Sequence, residues 1–439
     1  GSNASVKIET FNNAGVGTAN NMQSTGLWAI KRTPVTVTGD HDATITIALV
    51  DDVTGKHQHE LALKRPSRVQ KSWTHKAGTS TEILAPYGGL IYIKPAKTDS
   101  LNTAEFSFNG VLEASMWKAG QWVNQVNTGV PLAEVITGHF VYTTPVNNVS
   151  NTDMATFSQG MNDFAEKASD FHARDNTVGN MRFTGDLLPE HSHRFVNDAQ
   201  ISIGAAHSGY PVMSTTYNRT HDTIPTNPVN DWLLWHEVGH NLAAAPFNVK
   251  GATEVANNIP ALYMQKQRDN GMGGMDRIKT DIQKAPMMIN REHGHVWSHG
   301  DAGSRLVMFA QLKIWGESHF KVAEHFNTGE VPSYFGADEG WNMIKMMHRE
   351  ARNIENQACS AQNSLDLREG NLLMACASQV SGYDLTSFFE AWNPSEVSVV
   401  TADGSRDYEG AITTNGVAYI KSLNLATPAI KPETISSIN

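Results

Sequence analysis

The sequence predicts a multidomain α+β protein, with an N-terminal β-sandwich over residues 5–148, a mainly helical domain over 149–395 and a short β-rich segment over 396–439. Three observations carry this expectation. Apolar and polar residues alternate through the first third of the 439 residues. Near Asn148 the apolar spacing turns helical, and beyond residue 395 the alternation returns.

In the first region Val35, Val37, Ile45, Ile47 and Leu49 alternate with polar residues, and Gly39-Asp40-His41-Asp42 supplies a turn between the two runs. Further short strands follow at Leu90-Ile91-Tyr92-Ile93, around Phe106 and Phe108, and at Phe140-Val141-Tyr142, punctuated by Gly, Pro and Asn. Roughly 130 residues of this kind assemble most simply as a sandwich. Such a domain serves as a scaffold or packing partner, and a carbohydrate-binding module is the sharper alternative. In the second region Met154, Phe157, Met161, Phe164, Ala165, Ala168 and Phe171 recur at helical spacing. A few strands, such as Ala199 to Ile203, interrupt the helices. Gly271-Met272-Gly273-Gly274 lacks a preceding strand and a following Lys-Ser/Thr, so it reads as a turn and not as a phosphate loop. The last region is expected to alternate around Val399, Val400, Ala418 and Ile420.

Composition narrows the function classes. Charged residues make up 18% and hydrophobic residues 40%, as in ordinary folded domains. No run approaches the 18 or so apolar residues that span a bilayer. The net charge of -10 argues against nucleic acid and anionic membrane surfaces, both of which call for a basic face. The opening Gly1-Ser2-Asn3-Ala4 reads as a scar of tag cleavage and is set aside; the lack of a visible signal peptide then carries no information about compartment. Cys359 and Cys376 are too few for a zinc ribbon and are not spaced as a redox pair. One disulfide and two buried thiols both remain open.

The chemistry concentrates in Asn230-Asp231-Trp232-Leu233-Leu234-Trp235-His236-Glu237-Val238-Gly239-His240-Asn241-Leu242. Asn230 or Asp231 can cap a helix here, Pro228 precedes it, and Pro246 limits it on the far side. His236 and His240, four apart, then share one face and can bind one zinc ion. Glu237 is turned by about 100° and can reach a water on that ion instead of ligating it. At this composition a chance His-Glu-x-x-His has an expected count of roughly 0.04. Zinc that keeps one open position needs a third protein ligand, and Glu254 is the next glutamate. A turn around Pro246 to Gly251 lets a second helix begin near Ala252 and carry Glu254 back beside the first. Asn258, one turn further, is placed to hold a ligating histidine in one tautomer. Glu237 is then the general base, and a separate donor, Tyr210, His207 or a later histidine, stabilises the tetrahedral oxyanion. His293, His295 and His299 form a second cluster, read as a cleft wall, a second metal site or a polar loop before a helix.

These residues resemble the enhancin-like zinc metallopeptidases, peptidase family M-sixty. The family pattern of His-Glu-x-x-His with a later ligating Glu falls on His236, Glu237, His240 and Glu254. Three further stretches are similar to family segments: Ala85-Pro86-Tyr87-Gly88-Gly89-Leu90-Ile91-Tyr92, His207-Ser208-Gly209-Tyr210-Pro211 and Asp384-Leu385-Thr386-Ser387-Phe388-Phe389-Glu390-Ala391-Trp392. Within the family, Thr253-Glu254-Val255-Ala256-Asn257-Asn258 is most similar to the group of bacterial accessory colonization factor D and related secreted mucinase lipoproteins. The resemblance implies a gluzincin catalytic core, zinc as the metal, a longer secreted or surface-attached bacterial parent protein, and a mucin-type glycoprotein substrate. Two rivals remain: an endopeptidase indifferent to glycans, and a glycan-binding adhesin on a peptidase fold that no longer cuts.

Overall fold

The structure is a computed structural model that describes residues 2–10, 22–51, 68–96, 98, 102–137, 139–150, 152–175, 182, 186, 192–198, 201, 206–215, 232–268, 275–400 and 402–438. The chain divides into two compact units: Gly1–Glu166 with Leu187–Asn241, and Lys167–Asp186 with Leu242–Asn439.

The alternating first region forms eight strands: β1 (Ser2–Glu9), β2 (Gln23–Ala29), β3 (Val35–Gly39), β4 (Ala43–Asp51), β5 (Arg68–His75), β6 (Ser80–Ile83), β7 (Gly89–Pro95) and β8 (Thr103–Glu113). Ser2 to Ala4, set aside above, begin β1 and pair with β8. All eight strands lie in one hydrogen-bonded network, ordered β5-β4-β7-β2-β8-β3-β6 with β1 also on β8. The runs either side of Gly39–Asp42 do not pair with each other. β3 pairs with β6 and β8, and β4 with β5 and β7. Val35, Val37, Ile45, Ile47, Phe106 and Phe108 nevertheless meet in one buried cluster, which period-two burial of a single strand face produces. β7 is buried on both faces. Ile91 and Ile93 join that cluster, while Leu90 and Tyr92 join a second one with Trp28, Met116, Ile136 and Val141. Its unbroken apolar run follows from this.

Phe140–Tyr142, expected to end the sandwich, lies in a different sheet. β9 (Met116–Lys118), β10 (Gln121–Asn124), β11 (Leu132–Thr137), β12 (Phe140–Pro145), β13 (His193–Asp198), β14 (Ala206–His207) and β15 (Val212–Thr215) form a mixed seven-stranded sheet ordered β10-β9-β11-β12-β13-β15-β14. β12 and β13 run parallel, so the chain must cross over between them. α1 (Val146–Ser150) and α2 (Met154–Phe171) lie in that connection. The predicted apolar face of α2 packs on the sheet through Tyr142 against Phe157 and Phe140 against Phe164. The region expected to be mainly helical thus also contributes strands β13 to β15, after α2. Of the strand expected at Ala199 to Ile203, only Ile201 is described, outside any strand; the Gly271–Gly274 turn lies outside the described residues.

The second unit is built on helices: α3 (Trp232–Leu242) leads into it, followed by α4 (Ile259–Arg268), α5 (Lys279–Glu292), α6 (Val296–His299), α7 (Ala302–His319), α8 (Glu339–Ala351), α9 (Glu369–Ser381) and α10 (Thr386–Trp392). The apolar faces of α4 to α10 share one core around Trp297, Phe309, Trp315, Trp341 and Trp392. Cys359 and Cys376 are joined as a disulfide. After the two-stranded hairpin β16 (Glu396–Val400) and β17 (Arg406–Glu409), the chain forms α11 (Thr414–Ser422). The alternation expected at Ala418 and Ile420 is therefore corrected to a helix. The buried pair is Gly416 and Ile420, four apart, and a short apolar run does not separate the two periods. The tail closes on α7, with Trp315 Nε1 donating to the Ile430 carbonyl at 2.8 Å and Gln311 Nε2 to that of Ile435 at 2.9 Å.

Candidate metal centre

α3 is amphipathic in the way its sequence requires. Leu234, Val238 and Leu242 recur every fourth residue and are buried, with Trp235 beside them. The opposite face carries the half-exposed His236 and His240, whose ring centroids lie 4.8 Å apart with planes at 87°. The cap expected from Asn230 or Asp231, and Pro228 before it, lie outside the described residues. Glu237 is 8% exposed, so its carboxylate is largely withdrawn from bulk water.

Glu254 is not on a helix. It stands on a turn, followed by the 3-10 turn Ala256–Asn258 and only then by α4. Pro260 accounts for the difference. In the first turn of α4 it is tolerated, whereas a continuous α-helix from Ala252 would set its ring against the carbonyl four residues back. Ala252 and Val255, on either side, are buried at 0% and 1%, and Glu254 itself is exposed.

The donor atoms of His236, His240 and Glu254 all lie within 4.8 Å of one another, and this is the one such group among the described residues. Donors that share a zinc-sized ion at about 2.0–2.2 Å can stand no more than about 4.4 Å apart, so a small side-chain adjustment closes the set. Two imidazoles and a carboxylate suit a borderline-soft divalent ion, and three protein ligands leave a coordination position free.

The other candidates have contacts of their own. Tyr210 is buried in the cluster with Met22, Trp28 and Tyr92, and burial pushes its phenol well above the usual range. His207 is buried on β14, its Nδ1 2.7 Å from the Ser208 carbonyl. Asn258 donates through Nδ2 to the Glu254 carbonyl at 3.0 Å. His293, His295 and His299 do not form a metal-binding group. His295 stacks on Tyr408 of the hairpin at 4.2 Å, and His299 contacts Glu292 at 2.9 Å and the Tyr408 hydroxyl at 3.2 Å. Burial lowers the His295 pKa.

Sequence reasoning missed Asn241, which directly follows His240. Its side-chain amide accepts from Gly209 N–H at 2.9 Å and donates to the Gly209 carbonyl at 2.7 Å. The helix end is thereby fastened to the His207–Pro211 segment. An asparagine closing a helix has a bland local explanation, and its partner is 32 positions away.

The site is thus a helix bearing His-Glu-x-x-His with the Glu254 carboxylate grouped with its two histidines from a following turn. Residues 117–393 match the family model described as Peptidase M60, enhancin and enhancin-like, and residues 2–106 match that for the N-terminal domain of M60-like peptidases. The chain belongs to this family. It is 41% identical to the putative lipoprotein AcfD homolog of Escherichia coli K12, covering 100% of this chain and 30% of that protein. Identity to the accessory colonization factor AcfD of Vibrio cholerae is 40%, over 99% of this chain and 29% of that protein. The chain thus spans about 30% of the length of these curated relatives. Among solved structures, IMPa from Pseudomonas aeruginosa in complex with an O-glycopeptide matches with TM-score 0.69 at 12% identity, over 98% of this chain and 52% of that one. The M60 catalytic domain of Clostridium perfringens ZmpC in complex with the sialyl T antigen matches with TM-score 0.63 at 14% identity, over 98% of this chain and 81% of that one. At such identities the two structures speak to fold alone.

Proposed function

We propose that this chain is the catalytic region of a secreted or surface-attached zinc endopeptidase that hydrolyses peptide bonds in mucin-like glycoproteins. The observation that carries the reading is the convergence of His236, His240 and Glu254 donors within 4.8 Å, beside the buried Glu237. In this reading His236, His240 and Glu254 are the ligands. Zinc bound there supplies a Lewis acid for the scissile carbonyl and makes a water acidic enough to lose a proton near neutral pH.

The remaining chemistry belongs to the chain. The Glu237 carboxylate accepts the proton of the attacking water as the carbon–oxygen bond forms. It then returns that proton to the leaving nitrogen as the carbon–nitrogen bond breaks. Its withdrawal from bulk water strengthens its interactions with the developing charge. Asn258 holds the main chain of Glu254. His207 and Tyr210 act through the segment that Asn241 fastens to α3. The glycoprotein part of the reading draws on solved relatives, since IMPa is described in complex with an O-glycopeptide and with T-antigen. The surface location draws on relatives named as lipoproteins.

The test is Glu237→Ala against the unmodified protein, on a glycosylated mucin and on the same mucin after deglycosylation. The variant is expected to stay folded, bind zinc as before and lose cleavage. Undiminished cleavage by the variant refutes the role of Glu237, and loss of zinc means that ligand and base are misassigned. Equal cleavage of both substrates by the unmodified protein removes the glycan requirement and leaves a general endopeptidase.

A further inference from the structure

Because Glu254 stands on a turn, helical geometry does not set its position; whatever holds the turn does. Two side chains far along the chain hold the residues just before it. Trp297 Nε1 donates to the Lys250 carbonyl at 3.0 Å, and Arg305 Nη1 donates to the Gly251 carbonyl at 2.8 Å. Arg305 is itself fixed by bonds from Nε to the Trp297 carbonyl at 2.8 Å and from Nη2 to the Ser298 carbonyl at 3.4 Å. Its guanidinium carbon lies 5.8 Å from the centroid of the Trp297 ring, and that ring is wholly buried.

Gly251 fits this clamp for two reasons. Its φ of +79° favours glycine, and an added Cβ would come within 2.8 Å of both Arg305 Nη1 and Trp297 Nε1. Beyond Gly251 the buried Ala252 and Val255 anchor the main chain, and Asn258 holds the Glu254 carbonyl. Thr253 and Glu254 are the exposed residues of an otherwise fastened turn. A metal–oxygen bond of about 2.0–2.2 Å leaves little room for drift of that main chain.

We propose that Arg305 and Trp297 are positioning residues for the metal centre, clamping Lys250–Gly251 so that the Glu254 carboxylate is delivered beside His236 and His240. The inference rests on the assignment of Glu254 as a ligand made under Proposed function. Arg305 serves three carbonyls with one planar fork. A lysine has a single ammonium at the end of a flexible stem and restores only part of that arrangement.

The experiment measures zinc affinity by competition with a chromogenic chelator, at a temperature where every protein compared is folded by circular dichroism. The unmodified chain is compared with Trp297→Phe, Arg305→Gln, Arg305→Lys and Glu254→Ala. Trp297→Phe keeps an aromatic ring, though a smaller one, and removes the N–H. Trp297→Phe and Arg305→Gln are expected to bind zinc about 10–100-fold more weakly, with Arg305→Lys between them and the unmodified chain. Should Arg305→Gln fail to fold, Trp297→Phe decides alone. Affinity within about twofold of the unmodified chain in a folded clamp variant, while Glu254→Ala weakens binding, overturns the clamp and leaves the ligand set standing. Unchanged affinity in Glu254→Ala overturns the ligand assignment and the clamp with it.

Discussion

Glu134 offers a pH test with a magnitude set by the structure. It lies on β11 with 0% exposure, and its Oε2 accepts from Thr143 Oγ1 at 2.7 Å. The Tyr92 hydroxyl lies 3.2 Å from the same Thr143 oxygen. Burial pushes the carboxyl up from 4.5 to about 7, outweighing the hydrogen bonds from Tyr92 and Thr143. The folded chain therefore holds this proton more tightly than the unfolded chain does. The group's contribution to stability is fully present below pH 4.5 and is lost as the pH rises through about 7. At 1.36 kcal/mol per pH unit the loss is about 3 kcal/mol. Glu134→Gln keeps an acceptor for Thr143 and is neutral at every pH. The variant should match the unmodified protein at pH 4.5 and exceed it by about 3 kcal/mol at pH 8. The assay is urea unfolding by tryptophan fluorescence across that range, with chelator present throughout so that metal linkage is removed. The two units can unfold in separate steps, so the comparison uses the transition that the substitution shifts. A difference that does not grow with pH, or a glutamine variant less stable at pH 8, refutes the reasoning.

Two further predictions concern the frame around the site. Replacing both Cys359 and Cys376 by alanine opens a cross-link of sequence separation 17 and should cost the second unit about 3 kcal/mol. Reductant should then destabilise the unmodified protein in chemical unfolding and leave the variant unaffected; equal sensitivity refutes the assignment of stability to the disulfide. Asn241→Ala removes both amide bonds to Gly209 and should cost about 1–3 kcal/mol. Amide exchange at Gly209 should quicken selectively, and unchanged protection there would mean that the segment is held by something else.

Legibility from sequence followed the range of the interaction. Residues four apart on a helix must share a face, so His236 and His240 could be paired with no knowledge of the fold. The same holds for the apolar face of α2 and for the alternation of β3 and β4. The sequence suggests a helix from Ala252 around Glu254 where the structure has a turn, because Pro260 acts on the backbone and its effect depends on where α4 begins. Asn241, Trp297 and Arg305 gave no signal, since their partners lie 32, 47 and 54 positions away.

The sequence alone determined the composition of the candidate metal site's helix and the period of most long elements, because these depend on local backbone geometry and on which side chains repel water. The tertiary structure decided how the strands pair, that Phe140–Pro145 enters the mixed sheet, and that residues 414–422 are helical. It also decided that the carboxylate beside the two imidazoles is borne by a clamped turn. Each of those outcomes depends on contacts between distant residues, whose closure is favourable only when the rest of the core is in place.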